Sequence, residues 1–141
     1  FIIGYPDESE EDFNKTLNLI KKIKFVNSYS FIFSPRPGTV AADLELIDKK
    51  ISIKRLKKIQ DQLFENQIKM NKSLENKVLN VLVENLMDNK TFFFGRSEHM
   101  TSVIFSAKKN DIGKIVPVKI SKSNRSSLFG EIVNNFNQKV A

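Results

Sequence analysis

Near Asn76 the hydrophobic pattern of this chain changes its period, and no single layer of structure can accommodate both halves. Upstream, apolar residues recur at helical spacing. Ser9-Glu10-Glu11-Asp12 reads as a helix start: Ser9 can cap, Asp12 can complete a reciprocal exchange, and acids suit the positive end of the helix dipole. Phe13, Leu17, Ile20 and Ile23 or Lys24 follow at helical spacing, with Lys15, Lys21 and Lys22 on the polar side. A second helix of about 20 residues is predicted from Ser52, with Leu56, Ile59, Leu63, Met70 and Leu74 on one stripe. Gln67 fills the gap in that stripe, and Lys54, Lys57, Lys58 and Asp61 lie opposite. This helix reads as a spacer between two parts.

Two short apolar runs flank the first helix. Phe1-Ile2-Ile3-Gly4 reads as the end of a buried strand, cut by Gly4 and Pro6, and Ser28 to Ser34, with Tyr29, Phe31, Ile32 and Phe33, reads as a second buried strand. Strand, helix, strand is a βαβ unit, which requires parallel strands in an α/β sheet or barrel. Downstream of Asn76 the runs become short and β-like. Residues 78–84, 91–95, 100–105, 115–120 and 128–133 are five predicted strands, with turns at Asp88-Asn89-Lys90, Lys109-Asn110-Asp111 and Ser123-Asn124-Arg125. Five strands so closely spaced predict a small closed barrel of the OB type. The expected fold class is therefore α/β followed by all-β. The expected division is into residues 1–69 and 71–135, with a boundary at 70–76.

Composition narrows the functional classes. Hydrophobic residues make up 40% and charged residues 28%, with 5 Gly and 4 Pro, which excludes collagen-like and disordered chains as the main reading. No apolar run approaches the roughly 20 residues of a membrane-spanning helix. With no Cys, and with His99 as its one His, the chain by itself holds no disulfide, no cysteine-ligated zinc or iron–sulfur cluster and no histidine metal site. No nucleophile–base pair is visible, so the expectation is that this chain contains no catalytic residue. It opens with Phe1 inside an apolar run, and the expectation is a C-terminal piece of a longer protein.

The net charge is +7. A basic balance points to a polyanionic partner where the charge is clustered. Lys108, Lys109, Lys114, Lys119, Lys122 and Arg125 are set against Asp111 alone in one stretch. Lys119 is expected on the face opposite Val118 and Ile120, and with Lys114, Lys122 and Arg125 it could form a phosphate-contacting stripe. A solvated basic surface has the same composition. Phe92-Phe93-Phe94 cannot all face one core, because strand side chains alternate. Either Phe93, or Phe92 and Phe94, must cover something else: a helix, the other part of the chain, or a stacked base. His99 reads as a solvated turn residue.

Two loops fall at the C-terminal edge of the predicted parallel strands, where α/β barrels bind ligands. Gly4-Tyr5-Pro6-Asp7-Glu8 offers close approach of a ligand at Gly4, and equally reads as an ordinary βα turn. Ser34-Pro35-Arg36-Pro37-Gly38-Thr39 is a stiff loop that presents Arg36, suited to a carboxylate or phosphate or simply solvated.

Taken together, these motifs resemble radical-SAM methylthiotransferases. Residues 1–13 are similar to the fifth barrel strand and loop of that family, and Tyr29 to Thr39, followed by Ala41-Ala42-Asp43, to its sixth. The long helix with Arg55-Leu56 and Gln60 to Gln67 resembles the barrel-closing segment. Val81-Leu82-Val83-Glu84, Gly95-Arg96-Ser97, Val103-Ile104-Phe105, Ile112-Gly113-Lys114 and Ser127-Leu128-Phe129-Gly130 resemble its C-terminal TRAM domain, an OB-like RNA-binding barrel. Asp7 and Ser9 stand where the family usually has Gly and Thr. An aspartate there would bear a cost in any turn with positive φ.

The resemblance implies the last βα units of a partial TIM-like radical-SAM barrel, a long helix and a TRAM barrel. Within the family, the branch most similar adds a 2-methylthio group to N6-isopentenyladenosine 3′ of the anticodon in tRNA. It implies S-adenosylmethionine and two [4Fe–4S] clusters, whose cysteines would lie upstream of this chain. The implied cofactor-binding positions are Ile2, Gly4, Pro6 and Arg36. The implied RNA-binding positions are Arg96, Lys114, Lys119, Lys122 and Arg125. The implied setting is a cytoplasmic monomer that meets a tRNA anticodon stem-loop and no membrane. Two other readings stay open: a sister enzyme that modifies an aspartate of a ribosomal protein, and a stand-alone, non-catalytic RNA-binding module.

Overall fold

A computed structural model describes residues 1–88 and 90–133. The chain divides between Gln67 and Ile68 into two compact units.

The first unit is built on a parallel pair of very short strands, β1 (Ile2–Ile3) and β2 (Phe31–Ile32), in register Ile2↔Phe31 and Ile3↔Ile32. Between them runs α1 (Glu10–Ile23). Its start is the reciprocal cap expected from the sequence: Asp12 N donates to Ser9 Oγ (3.1 Å), and Ser9 N donates to Asp12 Oδ2 (3.3 Å). Helix α2 (Lys49–Ser73) is 25 residues long and begins three residues before the predicted Ser52. Asp48 Oδ1 accepts the Lys50 N–H (2.7 Å) and the Ile51 N–H (3.2 Å), so Asp48 fixes the earlier start. Ile3, Phe13, Leu17, Ile20, Ile59 and Leu63 form one buried cluster, with Phe1, Phe25 and Leu56 packed on it. That cluster covers one face of the strand pair. On the other face, Ile2 and its partner Phe31 are 63% and 62% exposed, so the strands expected to be buried are covered on one side only.

The second unit is a closed five-stranded barrel. Its strands are β3 (Val78–Leu86), β4 (Phe93–Ser97), β5 (Ser102–Ser106), β6 (Ile115–Ser123) and β7 (Ser127–Ile132), in the order β3-β4-β5-β7-β6. All neighbours are antiparallel except β5 and β7. Alternation sends Leu79, Val81, Val83, Phe93, Val103, Phe105, Val118, Ile120 and Leu128 inward, and Leu74 at the end of the helical stretch joins them. Gly95 and Gly130 sit where neighbouring strands approach closely: a Cβ on Gly95 would strike the Leu82 carbonyl oxygen and the Val81 side chain, and one on Gly130 the Lys119 carbonyl oxygen.

Two β-bulges set the lengths of the longest strands. One lies between Val83 and Asn85 of β3, the other between Ile120 and Lys122 of β6. Each interrupts the alternation, so the pattern stops at Glu84 and Ile120 while the strands continue to Leu86 and Ser123. Strand β4 lies two residues later than expected, because Met87 N bonds Phe92 O (2.9 Å) and closes the preceding turn at Phe92.

Candidate functional site

The first unit brings the two predicted ligand loops to one end of the strand pair, because β1 and β2 run parallel. Tyr5 of one loop meets Phe33 of the other edge-on, at 5.0 Å between ring centroids. Gly4 has φ +73°, and a Cβ on it would lie 2.5 Å from Ser52 Oγ. On the side where a Cβ would project, Gly4 packs against Ser52 of α2. Gly4 and Pro6 are both buried, whereas Ile2 and Arg36 are exposed. Asp7 adopts φ +65°, the left-handed region a glycine takes without cost.

What locks this loop is a buried ion pair that is not evident from the sequence. Gly4 N donates to Glu8 Oε2 (3.0 Å). Arg55 Nη1 donates to the same oxygen (2.8 Å) and to the Glu8 carbonyl (2.9 Å), and Nη2 donates to Glu10 Oε2 (3.0 Å). The side chains of Arg55 and Glu8 are only 9% and 11% exposed, and the guanidinium lies 5.3 Å from the Phe13 ring centroid. One carboxylate oxygen of Glu8 accepts twice, while the buried Arg55 Nε has no hydrogen-bond partner, so the pair is matched on the acid and on Nη1 and Nη2 only. The available signal was position: Arg55 falls on the same helical stripe as Ser52 and Ile59, where a solvated cation does not belong.

In the second unit, Lys114, Lys119, Lys122 and Arg125 follow β6 and its flanking turns, and Arg96 stands on β4. Arg96 points outward from β4, its Nε 3.2 Å from Glu84 Oε1 and its guanidinium 5.5 Å from the Phe94 ring centroid. Lys114 Nζ lies 3.8 Å from Asp111 Oδ1. Lys119 is exposed on the face opposite Val118 and Ile120, as the alternation predicts, and stands across the ladder from Glu131. Lys122 stands opposite Phe129, with no carboxylate partner among the described residues. Arg125 occupies the turn between β6 and β7.

That turn is held from the helical end of its own unit. Asn71, fully buried, donates through Nδ2 to the carbonyls of Asn124 (2.8 Å) and Arg125 (3.1 Å). Glu75 Oε1 accepts from Ser123 N (3.0 Å) and Oγ (2.7 Å). Asn124 Oδ1 then accepts the N–H groups of Ser126 and Ser127. A buried amide spent on two carbonyls makes the turn a fixed mount for Arg125.

The Phe run resolves as alternation requires: Phe93 enters the core and Phe94 faces out. His99 is exposed in the turn after β4. No group of three or more potential metal ligands exists among the described residues.

Residues 72–133 match the TRAM domain. Across all 141 residues the chain is 62% identical to the tRNA-2-methylthio-N(6)-dimethylallyladenosine synthase of Pelagibacter ubique, covering 32% of that protein. It is 40% identical over 134 residues to the synthase of the same name in Ruthia magnifica, covering 94% of this chain and 30% of that one. The Orientia tsutsugamushi protein is 42% identical over 136 residues, with 95% and 30% covered. The chain thus spans about a third of the length of the curated relatives it matches.

Proposed function

We propose that this chain is the C-terminal part of a radical-SAM tRNA methylthiotransferase, which adds a 2-methylthio group to N6-isopentenyladenosine 3′ of the anticodon. The observation that carries the reading is the 62% identity across the whole chain to a synthase of that product. In this reading residues 1–69 close the S-adenosylmethionine barrel and residues 71–135 bind the tRNA anticodon stem-loop, in a cytoplasmic monomer. Among the described residues no helix is long and apolar enough to cross a membrane.

The roles differ in how well the residues suit them. In the full-length enzyme, S-adenosylmethionine and two [4Fe–4S] clusters supply the radical and the sulfur. This chain has no cysteine and holds neither cluster. Of the four implied cofactor positions, Ile2 and Arg36 are open to a ligand, while Gly4 is packed on Ser52 and its N–H is spent on Glu8. The Gly4 loop therefore acts as a wall held by Arg55 rather than as a cradle. Arg36 is exposed and its guanidinium has no hydrogen-bond partner among the described residues, which suits a contact to an anionic group from outside this chain.

The test is expression of the full-length protein in cells lacking tRNA methylthiolation, with mass spectrometry of tRNA nucleosides. Appearance of 2-methylthio-N6-isopentenyladenosine is the expected result. Methylthiolation of a ribosomal-protein aspartate with unmodified tRNA would assign the sister reaction instead. No modification of either, with RNA binding retained, would favour the stand-alone binding module.

A further inference from the structure

The outer wall of the barrel carries an apolar band that its core does not use. Phe94 on β4, Ile104 on β5 and Phe129 on β7 are consecutive cross-strand partners: Phe94↔Ile104, then Ile104↔Phe129. Their strand neighbours Phe93, Val103, Phe105 and Leu128 fill the core, so alternation turns these three outward. None of the three belongs to the core cluster, and each is half-buried at the barrel surface. Neighbouring strands lie about 4.8 Å apart, which sets the two phenyl groups about 10 Å apart with Ile104 between them.

Cations close both ends of the band. The β6 bulge places Lys122 directly beside Phe129. At the other end, the Arg96 guanidinium lies against Phe94. The adjacent row runs Arg96–Ser102–Ser127, adding two hydroxyls beside the rings, and the turn that carries Arg125 follows. The acidic residues stand at the margins, Glu84 paired with Arg96 and Glu131 across from Lys119.

We infer that this face, Phe94–Ile104–Phe129 bracketed by Arg96 and Lys122, takes unpaired nucleotides of RNA by stacking bases on the two rings while the cations meet the phosphates. The inference rests on the RNA-binding reading above and sharpens it. A paired stem hides its base faces and is met through phosphates and 2′-hydroxyls, which gives two outward phenyl groups no task. A splayed single strand offers a π-face to every ring, and a phenyl group without polar atoms accepts any base. The complementary charge argues for RNA over a protein partner: the chain is +7, and the band itself contains no carboxylate.

The test uses the full 141-residue chain with two probes, oligouridylate and a blunt RNA duplex of equal charge, titrated over a range of salt. The chain is expected to bind oligouridylate more tightly than the duplex. The double variant Phe94→Leu/Phe129→Leu keeps apolar volume and removes the rings. It should weaken oligouridylate binding about fivefold or more with an unchanged salt slope. Phe94→Tyr/Phe129→Tyr should restore binding, which separates stacking from a folding defect. Lys122→Gln should lower the salt slope by about one. If the parent chain binds RNA and the Leu variant binds equally well, or the duplex is preferred, the stacking face is wrong and RNA binding stands. If the parent chain binds neither probe at low salt, RNA binding itself fails and the stacking face with it.

Discussion

The two units of this chain bury their apolar residues by opposite strategies. The barrel closes on itself: every strand has two neighbours, and its core is completed by Leu74 from within the same unit. The first unit pairs two strands of two residues each and leaves Ile2 and Phe31 facing outward. A two-stranded sheet covered on one side has unpaired edges and a bare face. The difference teaches that closure of a sheet, more than its apolar content, decides whether a segment can stand as a domain.

The sharpest way to break this comparison is a pair of phenylalanine substitutions. Phe105→Ala deletes a ring that is 1% exposed in the closed core and is expected to cost the barrel about 3–5 kcal/mol. Phe31→Ser removes a ring that is 62% exposed and should change stability by less than about 0.5 kcal/mol while raising solubility. Urea denaturation read separately on barrel and first-unit signals checks both. Equal costs would erase the distinction drawn here.

Arg55 is next in expected size. Arg55→Ala leaves Glu8 buried without its partner, and breaking such a pair costs about 3–5 kcal/mol when fully buried. The loss should be confined to the first unit, with Gly4 and Glu8 amide shifts moving and barrel shifts unchanged. Asp7→Gly sits lower and has the opposite sign: it relieves a left-handed residue and should stabilise the first unit by about 0.5–1 kcal/mol. A lowered thermal midpoint for this variant would mean that the Asp7 side chain contributes more than its backbone costs.

The smallest effect is a pH dependence at the start of α1. The Asp12 carboxyl is held below the usual carboxylate range, first by the hydrogen bond from Ser9 Oγ (2.6 Å), then by the Ser9 N–H, with Lys15 adding to it. A depressed folded-state value means the cap stabilises fully above the ordinary carboxylate range and is lost as pH falls through the depressed value. Amide shifts of Ser9 and Asp12 followed by NMR should report that loss only at acid pH, and Asp12→Asn should abolish it.

Much of the barrel was legible in the sequence because alternation is a strong signal in half-buried strands. It failed at the bulges, where Glu84 and Ser121 break the period while the ladder continues. The capping box was legible because it is local. The polar members of the α2 stripe were not: Ser52, Arg55, Asn66 and Asn71 read as surface residues until their partners are known. Those partners are distant in sequence, Glu8 for Arg55 and the Asn124–Arg125 turn for Asn71. Of the candidate site, the exposure of Arg36 and the barrel cations could be read from pattern, whereas the exposure of Ile2, expected in a buried strand, and the packing of Ser52 beside Gly4 required the fold.

The central claim is that the barrel is complete in itself and the first unit is not. Amide hydrogen exchange on the 141-residue chain tests it most directly. The account predicts that β3 to β7 exchange only by global opening, whereas β1, β2 and the loops after them exchange by local opening and far faster. Uniform protection across both units would contradict it.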